Sequence, residues 1–205
     1  MKNSVLVGLS GGLDSTFAAL SLIEKGYAVE GAVLKFSDFT DIKSAEKSAY
    51  ELGIPLHVID CREDFDKHVK EYFVNEYLSG RTPNPCVVCN RYVKVKKLHE
   101  CAKTLGFDKF ATGHYCGVEE ENGRYFIRRA ADLKKDQSYM LWTLSQEQLS
   151  RVILPLGGFK KSEIRELAAS LSFENAYKKD SQDVCFIPDG SYARFIELYT
   201  GMRPT

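Results

Sequence analysis

The sequence predicts an α/β fold in which a parallel sheet carries helices on both faces. Three observations predict it. Short apolar runs at residues 4–9, 28–34 and 56–60 alternate with segments of helical spacing at 15–25 and 42–52. Gly26 and Gly53 stand where those helices should stop. A glycine-rich turn joins the first apolar run to the first helical segment. Runs this short and apolar suit strands buried on both sides, and strands spaced by helices suit parallel crossovers.

The remaining elements follow in order. The first helix carries Phe17, Leu20 and Ile23 on one face. Residues 64–78 read as an amphipathic helix, and 79–88, with two prolines and a glycine, as a loop. A basic-faced helix is expected over 90–105, closed by Gly106, and a short fourth strand over 109–112. Segments 115–118 and 124–129 flank Glu121-Asn122-Gly123, a hairpin signal. Helices are expected over 160–171 and 191–199.

The chain has 205 residues, 44% of them hydrophobic, enough for one well-packed domain. Its 28 basic and 28 acidic residues cancel, so a general polyanion binder is excluded and any nucleic-acid contact must come from a local patch. No apolar run reaches membrane-spanning length and no cleavable leader is visible, so a soluble, cytoplasmic protein is expected.

Between the first strand and the first helix lies Ser10-Gly11-Gly12-Leu13-Asp14-Ser15. Glycines let a backbone approach phosphate oxygens, and the N–H groups and dipole of a helix start favour an anion. Ser10 and Ser15 offer hydroxyl donors. Asp14 would repel phosphate alone, so it either binds Mg²⁺ or fixes the loop. The pattern is neither of the common glycine-rich nucleotide motifs. It resembles the S-G-G-x-D-S loop of the ATP pyrophosphatases, which cleave ATP between the α and β phosphates.

Six cysteines are present, and Cys86 and Cys89 form a C-x-x-C pair. That pair alone fits a redox couple, half a zinc site or part of an iron–sulfur site. Cys89 is expected at the start of the following helix, where the dipole would favour thiolate. Cys185 follows a polar stretch with two lysines, Lys178 and Lys179. No fourth cysteine has a matching context, which argues against a closed four-cysteine zinc site. Cys61, Cys101 and Cys116 read as structural.

Taken together, the segments GLSGGLDS (8–15), GRTPNPCVVC (80–89), ATGHY (111–115), KDQSY (135–139), LSQEQLS (144–150), LPLG (154–157) and KDSQDVCFI (179–187) span most of the chain. In this combination and order the chain resembles the N-terminal catalytic domain of bacterial tRNA-specific 2-thiouridylases, in the PP-loop superfamily with its Rossmann-like sheet.

The resemblance implies that ATP adenylates the C2 oxygen of the tRNA wobble uridine and that sulfur then displaces AMP. It implies ATP contacts from Gly8, Leu9, Ser10, Gly11, Gly12, Leu13, Asp14, Ser15, Leu34 and Gly113. Asn84, Pro85 and Cys86 would face the target base. His114, Lys135, Asp136 and Gln137 would meet tRNA in its anticodon region. Cys185 would carry sulfur as a persulfide, with Cys89 as partner nucleophile. The sulfur source would be a donor protein or sulfide, and neither DNA nor a membrane is an expected partner.

One departure alters the chemistry. The position of Cys86 is commonly aspartate in that family. With cysteine there, Cys86, Cys89 and Cys185 match the three ligands of a 4Fe-4S cluster with one open iron, and this reading is favoured over a persulfide relay. ATP, Mg²⁺ and the cluster are therefore the expected cofactors. Residues 1–190 are expected to form the catalytic domain, and 191–205 the start of a truncated or absent downstream region, as in a fragment or a natural short form. A short form would need a partner subunit or thiolate an acceptor smaller than tRNA, and a sulfur or cluster carrier serving a partner is the reading of a different class. A carrier has no use for an ATP loop. Basic residues Arg91, Lys94, Lys96, Lys97 and Lys103 cluster near one helix and suit a phosphate-binding rim. Tyr92, Tyr115 and Tyr139 are candidates for base stacking, whereas Trp142 is expected in the core.

Overall fold

A computed structural model describes residues 3–170 and 184–202. Strand β1 (Ser4–Gly8) leads through the glycine turn into helix α1 (Leu13–Glu24), then β2 (Ala28–Lys35), α2 (Ile42–Leu52) and β3 (Leu56–Asp60). Next come α3 (Arg62–Phe65), which continues through a π-helical turn into α4 (Glu71–Leu78), and α5 (Pro85–Cys89), which continues through another into α6 (Val95–Leu105). Strand β4 (Lys109–Ala111), the hairpin β5 (Cys116–Glu121) and β6 (Arg124–Arg129), helix α7 (Gln146–Arg151) and strand β7 (Val152–Ile153) follow. Helices α8 (Lys161–Ser170) and α9 (Tyr192–Thr200) complete the described chain.

The sheet has the order β3-β2-β1-β4-β7, and every pairing in it is parallel. The alternation of strand and helix predicted this. From β1 the chain crosses outward to β2 and β3 on one side and later to β4 and β7 on the other. Chain direction therefore reverses beside β1, and a crevice opens at the carboxyl ends of β1 and β4, where ligands bind in such sheets.

Successive residues of β1 serve opposite faces. Val5 and Val7 pack with Ala19, Leu22 and Ala49 from α1 and α2. Leu6 packs with Val93, Leu98 and Phe110 on the other side. The hairpin turns on Asn122 and Gly123, both with positive φ, as a two-residue type I′ turn requires.

Two sequence expectations change, and one strand was not foreseen. The segment 79–88 is not all loop, because the helix begins at Pro85. Asn84 caps it, its side chain accepting from the Val87 N–H at 3.3 Å, and Pro85 fills the first helical position, where a missing N–H costs nothing. The prolines that suggested a loop are a helix start. Strand β7 is only two residues long and has no readable pattern. Trp142 is 71% exposed rather than in the core.

Helix α9 lies against α4. Phe73 meets the rings of Tyr192 and Phe195 at centroid distances of 5.4 and 5.9 Å, and the Tyr199 hydroxyl donates to Asp66 Oδ2 at 3.0 Å. Among the described residues no helix is long and apolar enough to cross a membrane.

Candidate functional site

The glycine turn sits in the crevice beside β1. Gly11 has φ +74, and a Cβ there would collide with the backbone of Ser44 at the start of α2. Only glycine suits that position. The loop is held from within. Ser15 Oγ accepts from the Ser10 N–H at 3.1 Å and donates to the Gly12 carbonyl at 3.0 Å, while Thr16 Oγ1 reaches Gly12 O and Ser48 Oγ, each at 3.0 Å. The buried Ser15 hydroxyl thus shapes the turn more than it offers itself to a ligand.

Helix α1 begins at Leu13, two residues before the expected start, so Asp14 and Ser15 lie in its first turn. Its N-cap, Gly12, makes no side-chain capping bond. The first N–H groups of a helix have no intrahelical partner, so this end presents donors and positive potential to the crevice.

Asp14 is tied to two distant side chains. Its Oδ1 accepts from the Tyr115 hydroxyl at 2.7 Å and from Lys161 Nζ at 2.6 Å. The Lys161 side chain is only 6% exposed, against 33% for Asp14. Lys161 enters from the first position of α8, and its backbone N–H donates to Asp132 Oδ2 at 3.1 Å. Gly113 closes the other wall, where a Cβ would press on the Asp14 backbone. Sequence reasoning missed Lys161 because its partner is 147 positions away. Tyr115 was offered for base stacking, but it is buried and bonds Asp14 instead.

These groups open on a cavity of about 1350 Å³ that also takes in Leu34, His114, Lys94, Lys135, Gln137 and Cys185. The Gln137 side-chain oxygen accepts from the Tyr115 N–H at 2.9 Å, and the Gln137 backbone N–H donates to the Tyr115 carbonyl at 2.8 Å. Asp136 turns inward as a structural cap, accepting from the Ala130 N–H at 2.8 Å and the Ser138 hydroxyl at 2.7 Å. His114 is buried, paired with Thr112 Oγ1 at 2.7 Å, and burial with the nearby Lys94 ammonium drives its pKa down to about 3. It is therefore a neutral imidazole in the cavity wall.

Cys185 is placed by its neighbour Phe186, whose ring packs on Phe65 and Phe73 at 5.5 and 5.4 Å. The segment 171–183, with Lys178, Lys179 and the first half of the 179–187 motif, lies outside the described residues. Cys86 is exposed in the first helical turn after Asn84, with Pro85 buried beside it, and Cys89 is buried one turn further. Asn90 Nδ2 donates to the Met140 carbonyl at 3.3 Å and ties this helix to the turn bearing Tyr139.

The three cysteines feel one another electrostatically. Burial, then the charges of Cys185 and Cys86, push the Cys89 thiol up to about 11, against the pull of the Lys94 ammonium and N–H. Cys185 is exposed to solvent, although the protein packed around its sulfur still holds the thiol above its ordinary value, again opposed by Lys94. This corrects the expected thiolate at Cys89, because the helix starts at Pro85 and burial outweighs the dipole. Among the described residues no three His, Cys, Asp or Glu side chains are gathered so as to hold a metal.

Residues 3–189 match the family described as tRNA methyl transferase HUP domain. The chain belongs to this family. It is 48% identical over 202 residues to a tRNA-specific 2-thiouridylase MnmA of Syntrophotalea carbinolica, covering 94% of this chain and 57% of that protein. It is 44% identical over 211 residues to MnmA 2 of Clostridium tetani, with 96% and 59% covered. The chain thus spans less than two thirds of these relatives. Among solved structures, a 4-thiouridine synthetase–RNA complex with bound ATP aligns with TM-score 0.63 at 20% identity, over 91% of this chain and 45% of that one. The U34-tRNA thiolase NcsA of Methanococcus maripaludis, with its 4Fe-4S cluster, aligns at 0.55 and 19%, over 98% and 65%. At these identities the likeness concerns the fold, a parallel sheet flanked by helices.

Proposed function

We propose that this chain binds ATP and transfers sulfur to a tRNA uridine, replacing the C2 oxygen of the wobble base to give 2-thiouridine. One observation carries the reading: the open amide end of α1 and Cys185 line the same cavity. The MnmA relatives support the substrate.

The chemistry needs two halves. A carbonyl oxygen leaves poorly, so it must first be activated. The uridine C2 oxygen attacks the α-phosphorus of ATP, pyrophosphate departs, and the oxygen becomes the ester oxygen of AMP. The amide end of α1 stabilises the phosphates, Lys161 neutralises Asp14 beside them, and Mg²⁺ enters with the nucleotide as part of the substrate.

In the second half the outer sulfur of a Cys185 persulfide attacks C2, and the C–O bond breaks with AMP as leaving group. Cys89 then attacks the Cys185 sulfur. The S–S bond to the substrate breaks, 2-thiouridine is released and a Cys89–Cys185 disulfide remains for an external thiol to reduce. Lys94 lowers the cost of both thiolates.

The cluster is the second reading. The electrostatic influence of Cys86 and Cys185 on Cys89 favours it, and the lack of a metal-holding arrangement among the described residues speaks against it. Purification without oxygen, with iron and sulfide assays of the parent and Cys86→Ala, separates the two. An iron-free parent that thiolates tRNA supports the relay, and an iron-loaded parent that needs Cys86 overturns it. For the function itself, the chain is incubated with ATP, Mg²⁺, a sulfur donor and tRNA, and nucleosides are analysed by mass spectrometry. Absence of 2-thiouridine, with ATP cleavage stimulated by a free base, would move the acceptor to a small molecule.

A further inference from the structure

A second cavity, separate from the ATP crevice, lies on the outer side of the Cys86 helix. It measures about 760 Å³, within the range of about 300–1,000 Å³ usual for small-ligand sites. Its walls are aromatic and exposed. Trp142 is 71% exposed, Tyr139 53% and Tyr92 36%. Burial of such rings is normally favourable, so three of them around one cleft mark a surface built to be covered.

One wall is already layered. His68 stacks on Tyr92 with centroids 5.2 Å apart and planes inclined by 19°, and the Arg91 guanidinium lies 4.9 Å from the centre of the same ring. Lys67 and Arg91 supply positive charge, with Glu71 the single carboxylate in the lining among the described residues. Thr143 also lines the cleft, and its buried hydroxyl has no hydrogen-bond partner among the described residues.

The cleft adjoins the helix that carries Cys86 and Cys89. Asn84, the cap of the Cys86 helix, forms part of its wall, and its N–H donates to the Tyr72 hydroxyl at 3.3 Å. Partial burial, and after it the neighbouring Cys86 and Asp136 charges, hold the Tyr139 phenol above its ordinary value.

We propose that this cleft holds an unstacked RNA base, that of a nucleotide next to the target uridine, with Trp142 and Tyr139 as its stacking surfaces. Single-stranded RNA is gripped by such aromatic faces beside a cationic rim for its backbone. Holding the neighbouring base here would keep the uridine extended toward Cys86 and the ATP crevice. The inference rests on the tRNA reading above and deepens it.

Trp142 is the only tryptophan in the chain, so its fluorescence reports this cleft alone. The test titrates an anticodon stem-loop RNA into the full chain and follows both RNA anisotropy and Trp142 emission. Stem-loops abasic at either neighbour of the wobble uridine, and the variants Trp142→Ala and Trp142→Phe, are run alongside, with circular dichroism to check the fold. The stem-loop should quench Trp142, and one abasic position should abolish the quenching. Trp142→Ala should weaken binding about 5- to 150-fold, with Trp142→Phe much closer to the parent. RNA that binds without changing Trp142 emission, or that binds Trp142→Ala as tightly as the parent, overturns the cleft and leaves the thiolation reading standing. A parent that does not bind the stem-loop at all removes both.

Discussion

Replacing Lys161 by methionine should cripple ATP binding far more than it harms the fold. The substitution removes an ammonium 2.6 Å from Asp14 Oδ1 and keeps a similar apolar stem. At an effective dielectric of about 20, two charges that close attract by several kcal/mol before solvation is counted. Water reaches Asp14 and Tyr115 still donates to it, so the net loss is smaller, about 1–3 kcal/mol. The uncompensated carboxylate then faces the phosphates at the amide end of α1. ATP affinity should therefore fall roughly 5- to 150-fold. Calorimetry with a non-hydrolysable ATP analogue measures this, and urea denaturation follows stability in parallel. A double-mutant cycle with Asp14→Asn isolates the cause. If Lys161 acts by neutralising Asp14, the double variant should bind ATP better than Lys161→Met alone. The reasoning is refuted if Lys161→Met binds within twofold of the parent, or if adding Asp14→Asn deepens the loss, as a required Mg²⁺ ligand would.

Two further outcomes follow from the charges around the cavity. The folded pKa of His114, about 3, lies below its ordinary 6.5, so the unfolded chain binds that proton more readily. Its contribution to stability is complete above about pH 6.5 and is lost at up to about 1.4 kcal/mol per unit as pH falls toward 3; melting curves across that window should flatten in His114→Gln. Lys94→Met removes the cation that opposes burial at Cys89 and Cys185. Iodoacetamide labelling read by mass spectrometry should slow at both cysteines, and labelling of Cys89 that is unchanged or faster would contradict the assigned role.

What was legible in the sequence was local. The turn 10–12 announces itself because strand, glycines and helix are contiguous, and Asn122-Gly123 fixes the hairpin for the same reason. What was illegible depended on distant neighbours. Lys161 and Tyr115 gain their roles only when α8 and the segment between β4 and β5 meet Asp14. Cys89 was read from its distance to a helix start, but burial sets its proton affinity. Trp142 was assigned inward from its type, although an exposed apolar ring is a common mark of an interaction surface. Pro85 shows that one residue can signal a loop or a helix start, and the Asn84 side chain decides between them.

The central claim is that ATP activates the oxygen that sulfur replaces. It is tested most directly by placing a heavy-oxygen label at C2 of the wobble uridine and following that atom through one round of reaction with the chain, ATP and a sulfur donor. The account predicts that the label appears in the phosphate of AMP, one atom for each 2-thiouridine formed, with none in pyrophosphate. Label recovered in water or in inorganic phosphate, or thiolation without AMP, would contradict it.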